Sequence, residues 1–140
     1  MQVLVTGHNG YLGSVMVPVL RDAGHDVTGL DCYLFDECTF GPEPADPSAL
    51  RVDVRDVDPA DLERFDAIIH LAALSNDPLG DLAPQYTYEI NRDASIRLAR
   101  LAREAGVERF LFSSSCSIYG ATGGEELVDE RAKMAPVTPY

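Results

Sequence analysis

Side chains able to do chemistry concentrate in two stretches of this sequence. In "FLFSSSCSIYG" (110–120), three consecutive serines, Ser113 to Ser115, follow an apolar run, and Tyr119 stands four residues beyond Ser115. Hydroxyls at the end of a buried strand must find partners or lose their hydration uncompensated, so they are poor core residues and suit a site better. Near the N-terminus, Gly7, Gly10 and Gly13 in "TGHNGYLGS" are spaced G-x-x-G-x-x-G. Glycines there permit a tight turn and close backbone approach, and a helix opening at the turn offers unpaired N–H groups and the positive end of its dipole to a phosphate. Glycine also turns ordinary loops, so the pattern gains its weight from standing between a strand and a helix. The lysine-bearing P-loop pattern is absent, which excludes that class of nucleotide triphosphatase.

Asp31 ends a second apolar run, 18 residues beyond Gly13. An acid at that place would accept hydrogen bonds from the ribose hydroxyls of NAD. No arginine follows it before Arg51, so a 2′-phosphate would meet a carboxylate without an adjacent cation, and NAD is expected over NADP. The plain alternative is a solvated turn aspartate. Asp53 in "VDVRD" suits either an adenine contact or a helix N-cap equally well. "HLAAL" (70–74) closes a strand with small residues, for a cofactor to lie on or simply for tight packing. His70, with no acid near it in sequence, reads as a packing histidine.

These residues need elements to position them. "QVLVT" (2–6) reads as a buried strand, and a helix is expected over Tyr11–Ala23, stopped by Gly24 and kinked at Pro18 where a backbone bond is lost. "HDVTGLD" gives a second strand, residues 32–49 a long Pro- and acid-rich loop with Pro42, Pro44 and Pro47, and "LRVDV" (50–54) a third strand. A short helix is expected over Pro59–Arg64, then a doubly buried strand at "DAIIHLAA" (66–73). Ile90, Ala94, Leu98, Leu101 and Ala105 recur at helical spacing, so a helix is expected from about Pro84 to Ala105, stopped by Gly106. "VERFLFSSS" (107–115) is the fifth strand, also read as buried, and 116–139 is loop. Alternating strands and helices give an α/β fold with a parallel sheet covered on both faces, whose ligands bind beyond the carboxyl ends of the strands.

The 140 residues, 46% of them apolar, suffice for one domain with a real core. No apolar run approaches a membrane span and no signal sequence opens the chain, so a soluble, cytoplasmic protein is expected. The net charge of −12 repels polyanions and argues against nucleic acid and anionic membrane as partners. Cys32, Cys38 and Cys116 form no metal-ligand spacing and read as free thiols, so no metal is expected.

Taken in order, "VLVTGHNGYLGS", Asp31, "VDVRD", "HLAALS", "INRDAS", "FLFSSSCSIYG" and a terminal "PY" resemble the extended short-chain dehydrogenase/reductase family, the NAD-dependent epimerases and dehydratases of nucleotide sugars, most nearly its UDP-galactose 4-epimerase-like members. The resemblance runs the length of the chain. It implies a Rossmann-type doubly wound fold with residues 1–140 as the NAD-binding domain. It implies that the glycine turn with Tyr11 and Leu12 holds the cofactor pyrophosphate, Asp31 the ribose, and Asp53 and Val54 the adenine. Leu71, Ala72, Ala73 and Ser75 then lie beside the cofactor with Ser113, and Asn91 matches the asparagine that opens the family's long helix. Ser115 matches the catalytic Ser/Thr, and Tyr140, 25 residues on, the tyrosine of the Tyr-x-x-x-Lys pair, whereas Tyr119 is in the "VYG"-like segment and is not the catalytic tyrosine.

The resemblance implies a transient hydride transfer to NAD, with Tyr140 and Ser115 moving the proton of a sugar hydroxyl. Dehydratases of the family place an acid directly after the catalytic Ser/Thr. Here Cys116 and Ser117 follow, which favours epimerisation, with nucleotide-sugar reduction or dehydration as alternatives and a noncatalytic NAD-sensing module as a different class. The lysine expected four residues after Tyr140 and the sugar-nucleotide domain are not in this sequence, and Lys133, the only lysine, precedes the tyrosine in a loop. The chain is accordingly expected to be inactive alone, and the full-length enzyme to be a homodimer.

Overall fold

Successive residues of a strand point to opposite faces of its sheet, and in the computed structural model, which describes residues 1–36, 38, 47–121 and 127–140, the central strands bury apolar residues on both faces. Five parallel strands form one sheet: β1 (Gln2–Thr6), β2 (Asp26–Asp31), β3 (Ser48–Arg51), β4 (Ala67–His70) and β5 (Arg109–Phe112), in the order β3-β2-β1-β4-β5. This is a Rossmann-like doubly wound sheet. The order reverses between β1 and β4, and a crevice for ligand opens at such a switch point.

Two cores result from the period of two. On one face Leu4, Leu30 and Ile68 pack with Val57, Leu62 and Phe65 under Ala94, Leu98 and Ala102 of the long helix; on the other Val3, Val5, Val27 and Ala67 pack against Val17 of α1 (Tyr11–Asp22). Pro18 lies inside α1, which runs on to Asp22 before stopping at Gly24 as expected.

The expected helix over 84–105 is present with an unexpected interior. Before it stands α2 (Asp77–Leu82), which the hydrophobic periodicity did not announce although Asn76 caps it and proline occupies its first turn. The long helix opens as α3 (Pro84–Thr87), loosens into a π-helical stretch (Tyr88–Ala94) and continues as α4 (Ser95–Glu104) to the stop at Gly106.

Two strand expectations are corrected. The third strand is Ser48–Arg51 rather than 50–54, because Asp53 caps a 3-10 turn at Val54–Asp56 and so ends the extended run. The fifth strand is an edge strand with Leu111 and Phe112 half exposed, not a buried one. Pro47 is buried at the entry to β3, while Pro42 and Pro44 of the expected loop lie outside the described residues. Among the described residues, no helix is long and apolar enough to cross a membrane.

Leu98 is fully buried between the long helix and the sheet, whereas Leu82 is 82% exposed. Leu98→Ala should cost about 2–5 kcal/mol by leaving a cavity, and Leu82→Ala should stay within about 0.5 kcal/mol. Urea unfolding of the two variants measures the difference; equal effects would mean that the helix does not carry this core.

Candidate functional site

Hydrogen bonds beyond the strand ends carry each strand's direction into the loop that follows it. Gly7 N–H donates to Leu30 C=O (2.8 Å), Leu71 N–H to Thr6 C=O (3.1 Å), Val52 N–H to Asp31 C=O (3.1 Å) and Ser113 N–H to His70 C=O (3.2 Å). The registers Thr6↔Leu30, Thr6↔His70 and His70↔Phe112 thereby bring Gly7, Asp31, Leu71 and Ser113 to one edge of the sheet. Residues distant in sequence become neighbours there because parallel strands all end on the same side.

The glycine turn is built against the start of the β4 loop. Gly7 has φ +71°, and a Cβ on it would lie 2.8 Å from Ala72 N and 3.0 Å from Leu71 C, so both conformation and space require glycine. A Cβ on Gly13 would run into the backbone of Gly7 and His8, which fixes how closely α1 sits on the turn. Gly10 differs: its Cβ would meet only Gly7 O, at 3.3 Å. It is the N-cap residue of α1, with no side-chain cap and no acid in the first turn. The leading N–H groups of a helix have no acceptor within it, so at Tyr11 and Leu12 the chain presents an electropositive end.

Asp31 is half-buried and already fixed. One carboxylate oxygen accepts from Asn9 N–H (3.1 Å) and the other from Tyr33 N–H (2.8 Å), the latter with Tyr33 in the left-handed region at φ +57°. Each oxygen keeps a lone pair for another donor. The expectation that no cation stands beside Asp31 is corrected, since β2–β3 pairing sets Arg51 in register with it. That guanidinium is engaged elsewhere, stacked 4.5 Å above the Tyr33 ring and 3.3 Å from Asp36.

Asp53 displays the N-cap alternative. Its Oδ1 accepts from Arg55 N–H (2.9 Å), and both its oxygens take the Arg55 guanidinium, at 3.0 and 2.8 Å. Those bonds hold its carboxyl below the usual carboxylate range. Val54 is buried behind it. Asn91, in the π-helical stretch, spends its amide on backbone: its Oδ1 accepts from Leu74 N–H (2.8 Å) and its Nδ2 donates to Leu74 C=O (2.9 Å). The wider π turn redirects a side chain that a regular helix would place elsewhere. Asn91 thus clasps the loop bearing Leu71, Ala72, Ala73 and Ser75.

The serine stretch folds into a 3-10 turn, Cys116–Tyr119, with Ser115 as its N-cap. Ser115 Oγ accepts from Ser117 N–H (3.1 Å) and donates to Ser117 Oγ (3.0 Å). Ala135 N–H donates to Ile118 C=O (2.9 Å), which returns the segment leading to Tyr140 to the turn that follows Ser115. Tyr140 is half-buried, and Ser113 is exposed at the sheet edge.

Sequence reasoning missed a buried polar row under this edge. His70, read as a packing histidine, lies 2.6 Å (Nδ1) from Thr6 Oγ and 2.8 Å (Nε2) from Ser95 Oγ, and Thr6 Oγ also accepts from the N–H groups of Leu71 and Ala72, both at 3.2 Å. The signal available in sequence was a threonine and a histidine each closing an apolar strand, but nothing there pairs them. Burial pushes His70 down from the ordinary 6.5 to about 4.

Residues 3–140 match the family model described as the NAD dependent epimerase/dehydratase family. A UDP-glucose 4-epimerase of Azospirillum brasilense is 31% identical over 146 residues, which cover 99% of this chain and 40% of that protein. TunA, described as an NAD-dependent NDP-hexosamine 5,6-dehydratase involved in tunicamycin biosynthesis, has a solved structure that aligns with TM-score 0.87 at 26% identity, over 100% of this chain and 45% of that one. The UDP-glucose 4-epimerase of Thermus thermophilus, solved in complex with NAD, aligns with TM-score 0.84 at 30% identity, over 100% of this chain and 46% of that one. The chain therefore spans less than half the length of these relatives.

The His70 shift makes stability depend on pH. Its folded pKa is depressed, so unfolded chains take up the proton near pH 6.5 while folded ones wait until about pH 4. The stabilisation is complete above about pH 6.5 and is lost as pH falls towards 4, amounting to about 3 kcal/mol. Urea unfolding at pH 7, 5.5 and 4 should reveal this loss in the wild type and a flatter profile in His70→Asn; parallel profiles would assign the acid sensitivity to other groups.

Proposed function

The chain belongs to the NAD dependent epimerase/dehydratase family, and from that premise we propose that residues 1–140 form the NAD-binding domain of a nucleotide-sugar epimerase. The observation that carries this reading is the glycine turn at the switch point: a Cβ at Gly10 would meet only Gly7 O, at 3.3 Å, the start of α1 is uncapped, and Gly7 and Gly13 are closed by backbone. That donor set fits a dinucleotide pyrophosphate. Gly7, Gly10 and Gly13 with the N–H groups of Tyr11 and Leu12 would hold it, Asp31 the adenine ribose, and Asp53 and Val54 the adenine. Leu71, Ala72, Ala73, Ser75 and Ser113 would line the nicotinamide half, on a loop that Asn91 supports through Leu74. The NAD named with the Thermus thermophilus structure supports the cofactor assignment. Asp31 favours NAD over NADP while Arg51 is drawn to Asp36 and Tyr33.

When bound, NAD supplies a reversible two-electron acceptor for oxidation at a sugar carbon that bears a hydroxyl. The chain's own contribution is proton transfer and orientation. Tyr140 acts as general base towards the sugar hydroxyl and returns the proton once the keto sugar has presented its other face. Ser115 can turn its proton from Ser117 Oγ to the sugar oxygen while still accepting Ser117 N–H, so the turn it caps survives the exchange. The likeness to TunA favours dehydration as a second reading; Cys116 and Ser117, following Ser115 where a dehydratase acid would stand, favour epimerisation. The complete enzyme is proposed to act as a homodimer on a nucleotide sugar.

Gly10→Val should abolish NAD binding, by calorimetry, with little change in the melting temperature, whereas Gly13→Val should destabilise the fold. The wild-type chain should prefer NAD to NADP. Normal binding by Gly10→Val, or an NADP preference, would remove the pyrophosphate or the ribose assignment respectively. In the complete enzyme, Ser115→Ala and Tyr140→Phe should each lower kcat by about 10²–10⁴-fold with NAD affinity nearly unchanged. Normal turnover by Tyr140→Phe would exclude it as the base.

A further inference from the structure

The contacts of the row Thr6, His70, Ser95 favour one arrangement of protons. Thr6 Oγ has two lone pairs and one proton. Both lone pairs are occupied by the N–H groups of Leu71 and Ala72, at 3.2 Å each. The Thr6 proton is then best placed towards His70 Nδ1 at 2.6 Å, making that nitrogen an acceptor. A neutral imidazole with an accepting Nδ1 carries its proton on Nε2, which faces Ser95 Oγ at 2.8 Å and donates to it. Polarity thus runs from the loop amides to Thr6, from Thr6 to His70, and from His70 to the first residue of α4.

Leu71 N–H also donates to Thr6 C=O, whereas Ala72 N–H donates to Thr6 Oγ. Ala72 is the residue whose backbone lies where a Cβ on Gly7 would be, so its position sets one wall of the glycine turn. From β1, β5 and α4, His70 is faced by Thr6, by Phe110 and Phe112, and by Ser95, none of them charged. Nothing in this set stabilises an imidazolium, and a proton on Nδ1 would leave the Thr6 hydroxyl proton without its acceptor.

We propose that His70 is a positioning residue for the dinucleotide: as the Nε2–H tautomer it holds Thr6 as an acceptor, and Thr6 in turn seats the Leu71–Ala72 amides against the Gly7 turn. This deepens the NAD-binding reading and rests on it. The depressed basicity of His70 agrees with an imidazole kept neutral throughout the physiological range.

Imidazole nitrogen NMR of the wild-type chain without ligand, together with amide exchange and NAD calorimetry on variants, tests the proposal. His70 should show protonated Nε2 and bare Nδ1 at neutral pH. His70→Leu and Thr6→Val should each accelerate exchange at Ala72 beyond the rest of β4 and weaken NAD binding at least tenfold, and the double variant should be no weaker than either single one. His70→Asn, whose amide oxygen can accept from Thr6, should restore affinity to within about threefold of wild type. A proton on Nδ1, a charged imidazole at neutral pH, unaltered NAD affinity in a folded Thr6→Val, or failure of His70→Asn to restore binding would each overturn the role. Should His70→Leu not fold, the wild-type tautomer and Thr6→Val decide. Failure of the wild type to bind NAD would overturn the cofactor reading and with it the affinity role, while the tautomer and Ala72 exchange would still judge the hydrogen-bond chain separately.

Discussion

Everything at the candidate site depends on how closely β1 and β4 approach at their carboxyl ends. Thr6 and His70 are register partners, and the residues after them, Gly7 and Leu71–Ala72, meet backbone to backbone with no room for a Cβ. Because strand order reverses at this pair, their two loops leave towards opposite faces of the sheet and open a crevice between them. A bulkier residue at Gly7 would open the contact and move both loops.

That contact is held by polar groups in a place where polar groups are costly. Thr6 and His70 are buried on the face that elsewhere presents Leu4, Leu30 and Ile68. Unsatisfied, each buried group would cost about 1–3 kcal/mol. Here the hydroxyl and both ring nitrogens find partners, one of them on the long helix, so the same bonds that satisfy the row also tie the helix to the sheet edge. Asn91 does the like one loop further on, spending its amide on Leu74. Backbone groups of Leu71, Ala72 and Leu74 are held by side chains of other elements, whereas Ser115 gives its proton to the hydroxyl of Ser117, two residues on.

Local chemistry made much of this legible. Apolar runs marked β1, β2, β4 and β5 close to where they stand, the first two closed by Gly7 and Asp31, and for the central strands because burial on both faces demands continuous apolar sequence. Glycine stops marked the ends of α1 and α4. The third strand was misplaced since Asp53 serves its own turn, and a cap competes with an extended run in a way that hydrophobic pattern cannot weigh. The fifth strand looked buried because "RFLF" is as apolar as a central strand, although in this chain it is an edge. The π-helical stretch left no trace, since one extra residue in a turn hardly disturbs apolar spacing read across the helix.

By itself the sequence determined the order of the five strands and of the helices that follow β1 and precede β5, the glycine turn, and the acid at the end of β2, because each rests on the conformation of a few consecutive residues. The tertiary structure alone decided which of those ends meet. It brought Arg51 beside Asp31, which the distance along the chain had hidden, and it then turned the guanidinium to Tyr33 and Asp36. It joined His70 to Thr6, 64 residues away, and to Ser95 on a different element. The reason is physical: backbone preference and burial act locally and are written in neighbouring residues, whereas the partner of a hydrogen-bonding side chain is set by strand register and helix docking, which exist only once the whole sheet has formed.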